Sequence, residues 1–224
     1  MMPDEEARVL KQKQDEVMER LKLIKHPIKI CILDKEFIVN PGVFSSQWGD
    51  TVLLASVVRQ ETKKSDSVLD MGTGAGIQAI FAAEKSSNNI LAVDINPKAV
   101  ECALENAERL GLKNEIAVFE SDLFSKVTGN FDLIIYNPPF RWFKARDMLE
   151  RSTTDENYNS MKNFLANAKN YLKANGRILI VFSTTGDLKY FETLIRKYEY
   201  GSEILATDEE PDRKYNVYKL IPNS

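Results

Sequence analysis

The stretch Val68-Leu69-Asp70-Met71-Gly72-Thr73-Gly74-Ala75-Gly76-Ile77-Gln78-Ala79-Ile80 runs from a short apolar segment, through three glycines at alternate positions, into an apolar helix start. Strand, glycine turn and helix in this order make a ligand-binding first turn. Glycines let the backbone bend tightly and approach a ligand with no Cβ in the way, while the following helix offers free N–H groups. A dinucleotide fingerprint, Gly-x-Gly-x-x-Gly, would need glycine where Ile77 stands, and it does not include an acid such as Asp70 at the end of the first strand.

Downstream, Ile90 to Val93, Ile116 to Phe119, Leu133 to Tyr136 and Ile178 to Phe182 are short, β-branched runs bounded by turn residues, as buried parallel strands are. Helical segments lie between them. Pro97 to Leu110 has Asn96 as its cap and Pro97 at the first helical position, and Asn157 to Leu172 puts Met161, Phe164, Leu165, Ala168 and Leu172 on one face. Alternating β and α units predict an α/β fold, a Rossmann-like doubly wound sheet with helices on both faces. Glu203 to Ala206 and Asn216 to Ile221 are joined by the polar segment Thr207 to Tyr215 with no helix, which predicts an antiparallel hairpin at the sheet edge. Upstream, Asp4 to Lys25 reads as an amphipathic helix with Val9, Leu10, Val17, Met18, Leu21 and Ile24 on a stripe. Ile28 to Val39 reads as a short hairpin turning at Asp34-Lys35, and Asp50 to Val58 as a helix. Residues 1–40 are thus an appendage to a domain spanning 41–224.

Ligands in such sheets lie at the carboxyl ends of the strands, and three of these ends carry acids. Asp70 ends the first. Asp94 ends the second, roughly 20 residues past the glycines, where a carboxylate accepts from both hydroxyls of a ribose. Ile95 follows, able to flank an adenine, and Ser121-Asp122-Leu123 ends the third, with Asp122 placed for an adenine amino group and the Leu123 N–H for a ring nitrogen. The fourth strand runs into Asn137-Pro138-Pro139-Phe140, a rigid polar-aromatic turn. An amide or exocyclic amine is a poor nucleophile because its lone pair is delocalised. Acceptors that hold its N–H groups out of plane, here the Asn137 side-chain oxygen and a proline carbonyl, aim the lone pair at an electrophile. The prolines fix the backbone, and Phe140 gives a planar target a stacking face.

These motifs resemble those of class I S-adenosylmethionine-dependent methyltransferases of the "small domain" superfamily, and are similar to HemK-type glutamine methyltransferases and ribosomal and transfer RNA base N-methyltransferases. The resemblance covers roughly Pro41 to Ile221. It implies S-adenosylmethionine as cofactor, held by Asp70, Gly72, Gly74, Gly76, Asp94, Ile95, Asp122 and Leu123, with Asn137, Pro138 and Phe140 at the target amine. It also implies a seven-stranded, mostly parallel sheet with the terminal hairpin. Pro41-Gly42-Val43-Phe44-Ser45 resembles the entry to ribosomal RNA guanine methyltransferase domains. Asp50-Thr51 with Leu53-Leu54 resembles the helix by which HemK-type enzymes close over the cofactor, which adds Thr51 to the cofactor residues. HemK-type enzymes usually carry Tyr where Phe140 stands, and bacterial ones grip release factors with a helical domain far larger than this 40-residue appendage.

The acceptor therefore stays open between an RNA base and a protein glutamine, with a small-molecule amine behind them. Arg141, Trp142, Phe143, Lys144, Arg146 and Arg151 form a basic and aromatic segment able to meet phosphates and stack bases, or simply to pack and be solvated. The 224 residues carry 30 basic and 33 acidic side chains, a net charge of -3, so no global field draws in nucleic acid. Cys31 and Cys102 show no zinc-type spacing and are expected as core thiols in a reducing cytoplasm; no metal is expected. No run approaches the ~18 apolar residues of a spanning helix, and the charged N-terminus is unlike a secretion signal, so a soluble protein is expected, with no membrane contact. His26 is expected at a helix end on the surface. Tyr158 and Lys162 match the Tyr-x-x-x-Lys of short-chain dehydrogenases without its glycine fingerprint, and are expected on a helix surface. A non-catalytic binding module of the same fold and a nicotinamide-dependent oxidoreductase are the alternatives, and the Asn-Pro-Pro-Phe loop argues against both.

Overall fold

In the computed structural model, which describes residues 4–45 and 49–223, the amphipathic N-terminal segment is helix α1 (Asp4–Lys22). The hairpin follows as β1 (Ile28–Ile32) and β2 (Lys35–Val39), antiparallel, with the turn residue Leu33 at φ 53°. Alternation along β1 sends Ile30 and Ile32 inward and Cys31 outward. Cys31 is therefore exposed, contrary to the expectation of two core thiols, whereas Cys102 is buried. Of the loop expected before Asp50, residues 46–48 lie outside the described ones.

Helix α2 (Gly49–Glu61) leads to β3 (Val68–Met71), α3 (Ile77–Ala83), β4 (Ile90–Asp94), α4 (Pro97–Arg109), β5 (Ile116–Glu120) and β6 (Phe131–Tyr136). Asn96 caps α4 as expected, its side chain accepting from the Lys98 N–H. Past the short α5 (Met148–Arg151) the single helix expected over 157–172 is broken into three pieces. Asn157 and Tyr158 both take left-handed φ values, 54° and 55°, so a kinked turn precedes α6 (Asn159–Asn167). A second short turn ends at Tyr171, and Leu172 opens β7 (Leu172–Ser183) instead of closing a helix. Met161, Phe164, Leu165 and Ala168 still share the buried face.

Helix α7 (Leu188–Lys197) precedes the terminal hairpin, β8 (Tyr200–Glu210) and β9 (Arg213–Pro222). The polar segment expected as a loop is mostly ladder: Thr207 pairs with Asn216 and Glu210 with Arg213, leaving only Pro211 and Asp212 to turn. Its polarity reflects an edge strand whose side chains face water.

The seven strands lie in the order β5-β4-β3-β6-β7-β9-β8, parallel from β5 to β7 with β9 antiparallel to both neighbours. This is the expected doubly wound sheet with its edge hairpin. Order reverses between β3 and β6, so a crevice opens where their carboxyl ends part. One core packs α2, α3, α4 and the β1–β2 hairpin on one face, and a second packs α6 and α7 on the other. The hairpin is pinned by the buried Asn106 of α4. Its amide accepts from the Ile38 N–H at 2.8 Å and donates to the Ile38 and Ala75 carbonyls at 2.7 and 2.9 Å, tying the hairpin to the glycine turn.

Candidate active site

At the crevice a cavity of about 470 Å³ is walled by the glycine turn on one side and the Asn137-to-Phe140 turn on the other. Gly72, Gly74 and Gly76 all have positive φ, as the alternate spacing requires. Gly76, at φ 82°, sits where a Cβ would lie 3.2 Å from the Ala103 backbone of α4, so glycine there sets helix-to-turn packing. Gly74, at φ 57°, is different: a Cβ there would meet nothing within 4 Å, because the space above it is open.

Asp70 fastens this turn from beneath. Its Oδ2 accepts from the Thr73 hydroxyl at 2.6 Å and the Ala79 N–H at 3.1 Å. Burial, with the Asp94 charge nearby, outweighs these bonds and pushes its pKa up to about 7. Asp94 receives the Gly74 N–H on one oxygen and the Asn96 N–H on the other, both at 2.9 Å, and burial raises its pKa as well. At the third strand end the Ser121 hydroxyl donates to the Leu123 carbonyl at 2.7 Å and accepts from the Lys126 N–H. Those bonds hold Leu123 at φ 47°, a strained value for a branched residue, and its neighbour Asp122 is exposed. Ile95, Asp122, Leu123 and Thr51 all line the cavity. The sequence-expected cofactor residues are therefore together, apart from Gly76, which lies behind the turn.

Across the cavity, Asn137 is half-buried and lines the wall with Pro138 and Phe140. Its Nδ2 donates to Asp50 Oδ2 at 2.8 Å and, more weakly, to the Thr51 hydroxyl at 3.4 Å. This fixes the amide orientation and leaves Oδ1 as the atom with free acceptor capacity. Asp50 is buried at the start of α2, which raises its pKa despite the bonds from Asn137 and Thr51.

Three contributors escaped the sequence reading. Asp50 entered it only as part of a likeness, and its bond to a residue 87 positions away left no local signal. Tyr158 is not helix surface as expected but 2% exposed. Its hydroxyl donates to the Phe140 carbonyl at 2.8 Å and accepts from the Asp187 N–H at 2.7 Å, clamping the Asn-Pro-Pro-Phe turn to the start of α7. Gly186 completes the clamp, because a Cβ there would lie 2.1 Å from the same carbonyl. Phe140 packs edge-on against Phe182, centroids 5.4 Å apart.

The basic segment divides. Arg146 is tied to Glu150 at 2.6 Å and to Asp15 of α1 at 2.8 Å, and Lys22 of α1 reaches Asp147 and Glu150 at 2.7 and 3.0 Å. With Gln14 on Thr153 at 3.4 Å, these bonds lay α1 along the segment. His26 is exposed, as expected. Among the described residues no group of three or more His, Cys, Asp or Glu is gathered for a metal, and no helix is long and apolar enough to cross a membrane.

Comparison with known proteins agrees with this fold. The family model described as methyltransferase small domain matches residues 34–219. A Methanocaldococcus jannaschii protein provisionally named as a protein N5-glutamine methyltransferase is 35% identical over 157 residues, covering 66% of this chain and 77% of its own length. The ribosomal RNA small subunit methyltransferase C of Haemophilus influenzae is 34% identical over 183 residues, 80% of this chain; the match spans only 49% of that relative. In three dimensions the T. thermophilus 16S rRNA N2 guanine methyltransferase, solved with S-adenosylmethionine and guanosine, shares the fold with a TM-score of 0.68 at 21% identity, over 88% of this chain and 50% of that one. The chain belongs to the methyltransferase small domain family of S-adenosylmethionine-dependent enzymes.

Proposed function

We propose that this protein methylates a planar nitrogen, an exocyclic base amine of RNA or the side-chain amide of a protein glutamine, the first named for a structural neighbour and the second for a relative in sequence. One observation carries the reading: a buried carboxylate holds the Asn137 amide by its nitrogen, at 2.8 Å, in the wall facing the glycine turn. Bound S-adenosylmethionine supplies a methyl on a cationic sulfur that departs as a neutral thioether. The residues present fit that cofactor, since the turn leaves open space at Gly74 and acids stand at three successive strand ends. Asp94 is assigned the ribose hydroxyls, Ile95 a face of the adenine, and Asp122 with the Leu123 N–H its polar edge. Gly72, Gly74, Asp70 and Thr51 form the remaining cofactor wall, Gly76 backs it, and Asn137 borders both ligands.

On the acceptor, Asn137 Oδ1 and the Pro138 carbonyl take the N–H groups, which turns the nitrogen lone pair out of conjugation. Phe140 stacks on the planar group, its ring steadied by Phe182 and its backbone by Tyr158. Asp50 is assigned a positioning role, because its carboxylate accepts from the Asn137 amide at 2.8 Å and from the Thr51 hydroxyl at 3.5 Å. Residues 41–224 are taken as the catalytic unit and 1–40 as an extension that borders the acceptor side through Val17. Both cysteines are free thiols, in keeping with a reducing cytoplasm.

Radiolabelled methyl transfer from S-adenosylmethionine into a cell extract, followed by ribonuclease or protease digestion, tests this reading. Label released by one treatment identifies the acceptor class, and no incorporation contradicts the reading. A thermal shift is the companion test: S-adenosylhomocysteine at ~100 times its Kd should stabilise by about 2.7 kcal/mol, and NAD should not.

A further inference from the structure

Within the basic segment one cation is unlike the rest. Arg141 follows Phe140 directly and lines the same cavity as Asn137. Its backbone is stitched to the segment before α6, donating to the Thr153 carbonyl at 3.3 Å and accepting from the Asp155 N–H at 2.7 Å. Its side chain is partly buried, and its Nε is fully shielded from water with no hydrogen-bond partner. Among the described residues no acid pairs with it, whereas Arg146 and Lys22 nearby are each held by two carboxylates. A shielded guanidinium N–H without an acceptor costs free energy unless a ligand supplies one.

The surroundings deepen the need. The strongest charge acting on Arg141 is a second guanidinium, that of Arg213 at the start of β9, which lines the same cavity and is itself bridged to Asp212 at 2.9 Å and Glu210 at 3.4 Å. Tyr215, Asp50 and Tyr158, on the acceptor side, also act on it. Beside it, the Trp142 and Phe143 rings lie 4.9 Å apart, with Lys11 of α1 over Phe143 at 6.0 Å.

Resting on the N-methyltransferase reading, we propose that Arg141, reinforced by Arg213, forms a phosphate subsite that grips the backbone of an RNA acceptor while Asn137 holds its base. RNA fits this site better than a peptide for a chemical reason. Every nucleotide carries a phosphate at a fixed reach from its base, whereas a glutamine in a peptide carries no obligatory anion near its amide. Guanidinium forks match phosphate oxygens in pairs, and neighbouring aromatic rings stack unpaired bases.

The test is fluorescence anisotropy of a labelled, mixed-sequence, ten-nucleotide single-stranded RNA with the full-length protein and saturating S-adenosylhomocysteine. Arg141→Gln is expected to weaken RNA binding about 10-fold at low salt and to flatten the plot of log affinity against log salt by about 0.7, one phosphate contact on a single strand. Arg141→Lys should restore the salt slope but only part of the affinity, and S-adenosylhomocysteine affinity should stay within about 2-fold, which also shows that the variants fold. The proposal is overturned if the wild type does not bind the RNA, or if Arg141→Gln binds it with unchanged affinity and slope. It is equally overturned if S-adenosylhomocysteine affinity falls in step, which assigns the guanidinium to the cofactor, or if only a glutamine-containing peptide loses affinity. Failure of the methyltransferase reading itself would look different, as the absence of S-adenosylhomocysteine binding in the wild type.

Discussion

The two sides of the cavity are built in different ways. The glycine side is made of turns that follow three adjacent strands, and its decisive bonds are short in sequence: Asp70 to Thr73, Ser121 to Leu123, and Asp94 to the Gly74 N–H 20 residues back. The asparagine side starts from one four-residue turn, but that turn is held by Asp50 from 87 residues upstream and by Tyr158 and Gly186 downstream, and the segment after it is tied to α1, whose Lys22 reaches Glu150 across 128 residues. A site for a common cofactor is fixed by local backbone geometry. The proposed acceptor side is assembled by tertiary contacts.

The sharpest way to break the contrast is to damage one side and look for losses on the other. On the proposed assignment Asp94→Ala would remove two charge-assisted bonds to a ribose at about 1.5–3 kcal/mol each, so S-adenosylhomocysteine affinity measured by calorimetry should fall on the order of 10²-fold. A loss under about 3-fold would remove Asp94 from the cofactor site. Asp50→Asn keeps the volume but lets the Asn137 amide reverse. It should lower kcat about 10-fold with S-adenosylhomocysteine affinity within about 3-fold, whereas a purely structural Asp50 would change the melting temperature and leave kcat alone.

A pH titration sharpens the comparison from the cofactor side. Folding raises the Asp70 pKa to about 7, above its ordinary 3.8. Its contribution to stability is thus fully present below about pH 4 and is lost as pH rises through about 7. The melting temperature of the ligand-free protein should accordingly fall between about pH 4 and pH 7 and level off above that, and Asp70→Asn should flatten that fall. Because ionised Asp70 favours a cation in the cavity, S-adenosylmethionine should bind several-fold more tightly at pH 8 than at pH 6. The smallest effect belongs to the α1 tether. Lys22 is more than a third exposed, so Lys22→Ala should cost under about 1 kcal/mol while speeding limited proteolysis within α1. Unchanged cleavage would show that Met18, fully buried, holds the helix by itself.

The same division explains what could be read in the chain. Strand cores such as Val68 to Met71 announce themselves because they are buried on both faces and bounded by turn residues, so the sheet was legible. Asn96 and Pro97 mark a helix start by chemistry confined to adjacent residues. The region after Phe140 was not legible in this way. The apolar spacing of Met161, Phe164, Leu165 and Ala168 is honest helix periodicity, yet nothing local tells that Asn157 and Tyr158 turn left-handed or that Leu172 belongs to a strand. Tyr158 reads as a surface residue until its two partners, Phe140 and Asp187, are brought to it by the fold. The polar run Thr207 to Tyr215 misled for the opposite reason, since an edge strand needs no apolar pattern on its open side.

The central claim is that the two loops divide the work, one holding the cofactor and the other aiming the acceptor nitrogen. Asn137→Ala tests it when methyl transfer into the labelled extract acceptor and S-adenosylhomocysteine affinity are measured on the same preparation. The account predicts that transfer falls by about 10²-fold or more while the affinity stays within about 2-fold. Equal losses of binding and turnover, or turnover near that of the unaltered protein, would contradict it.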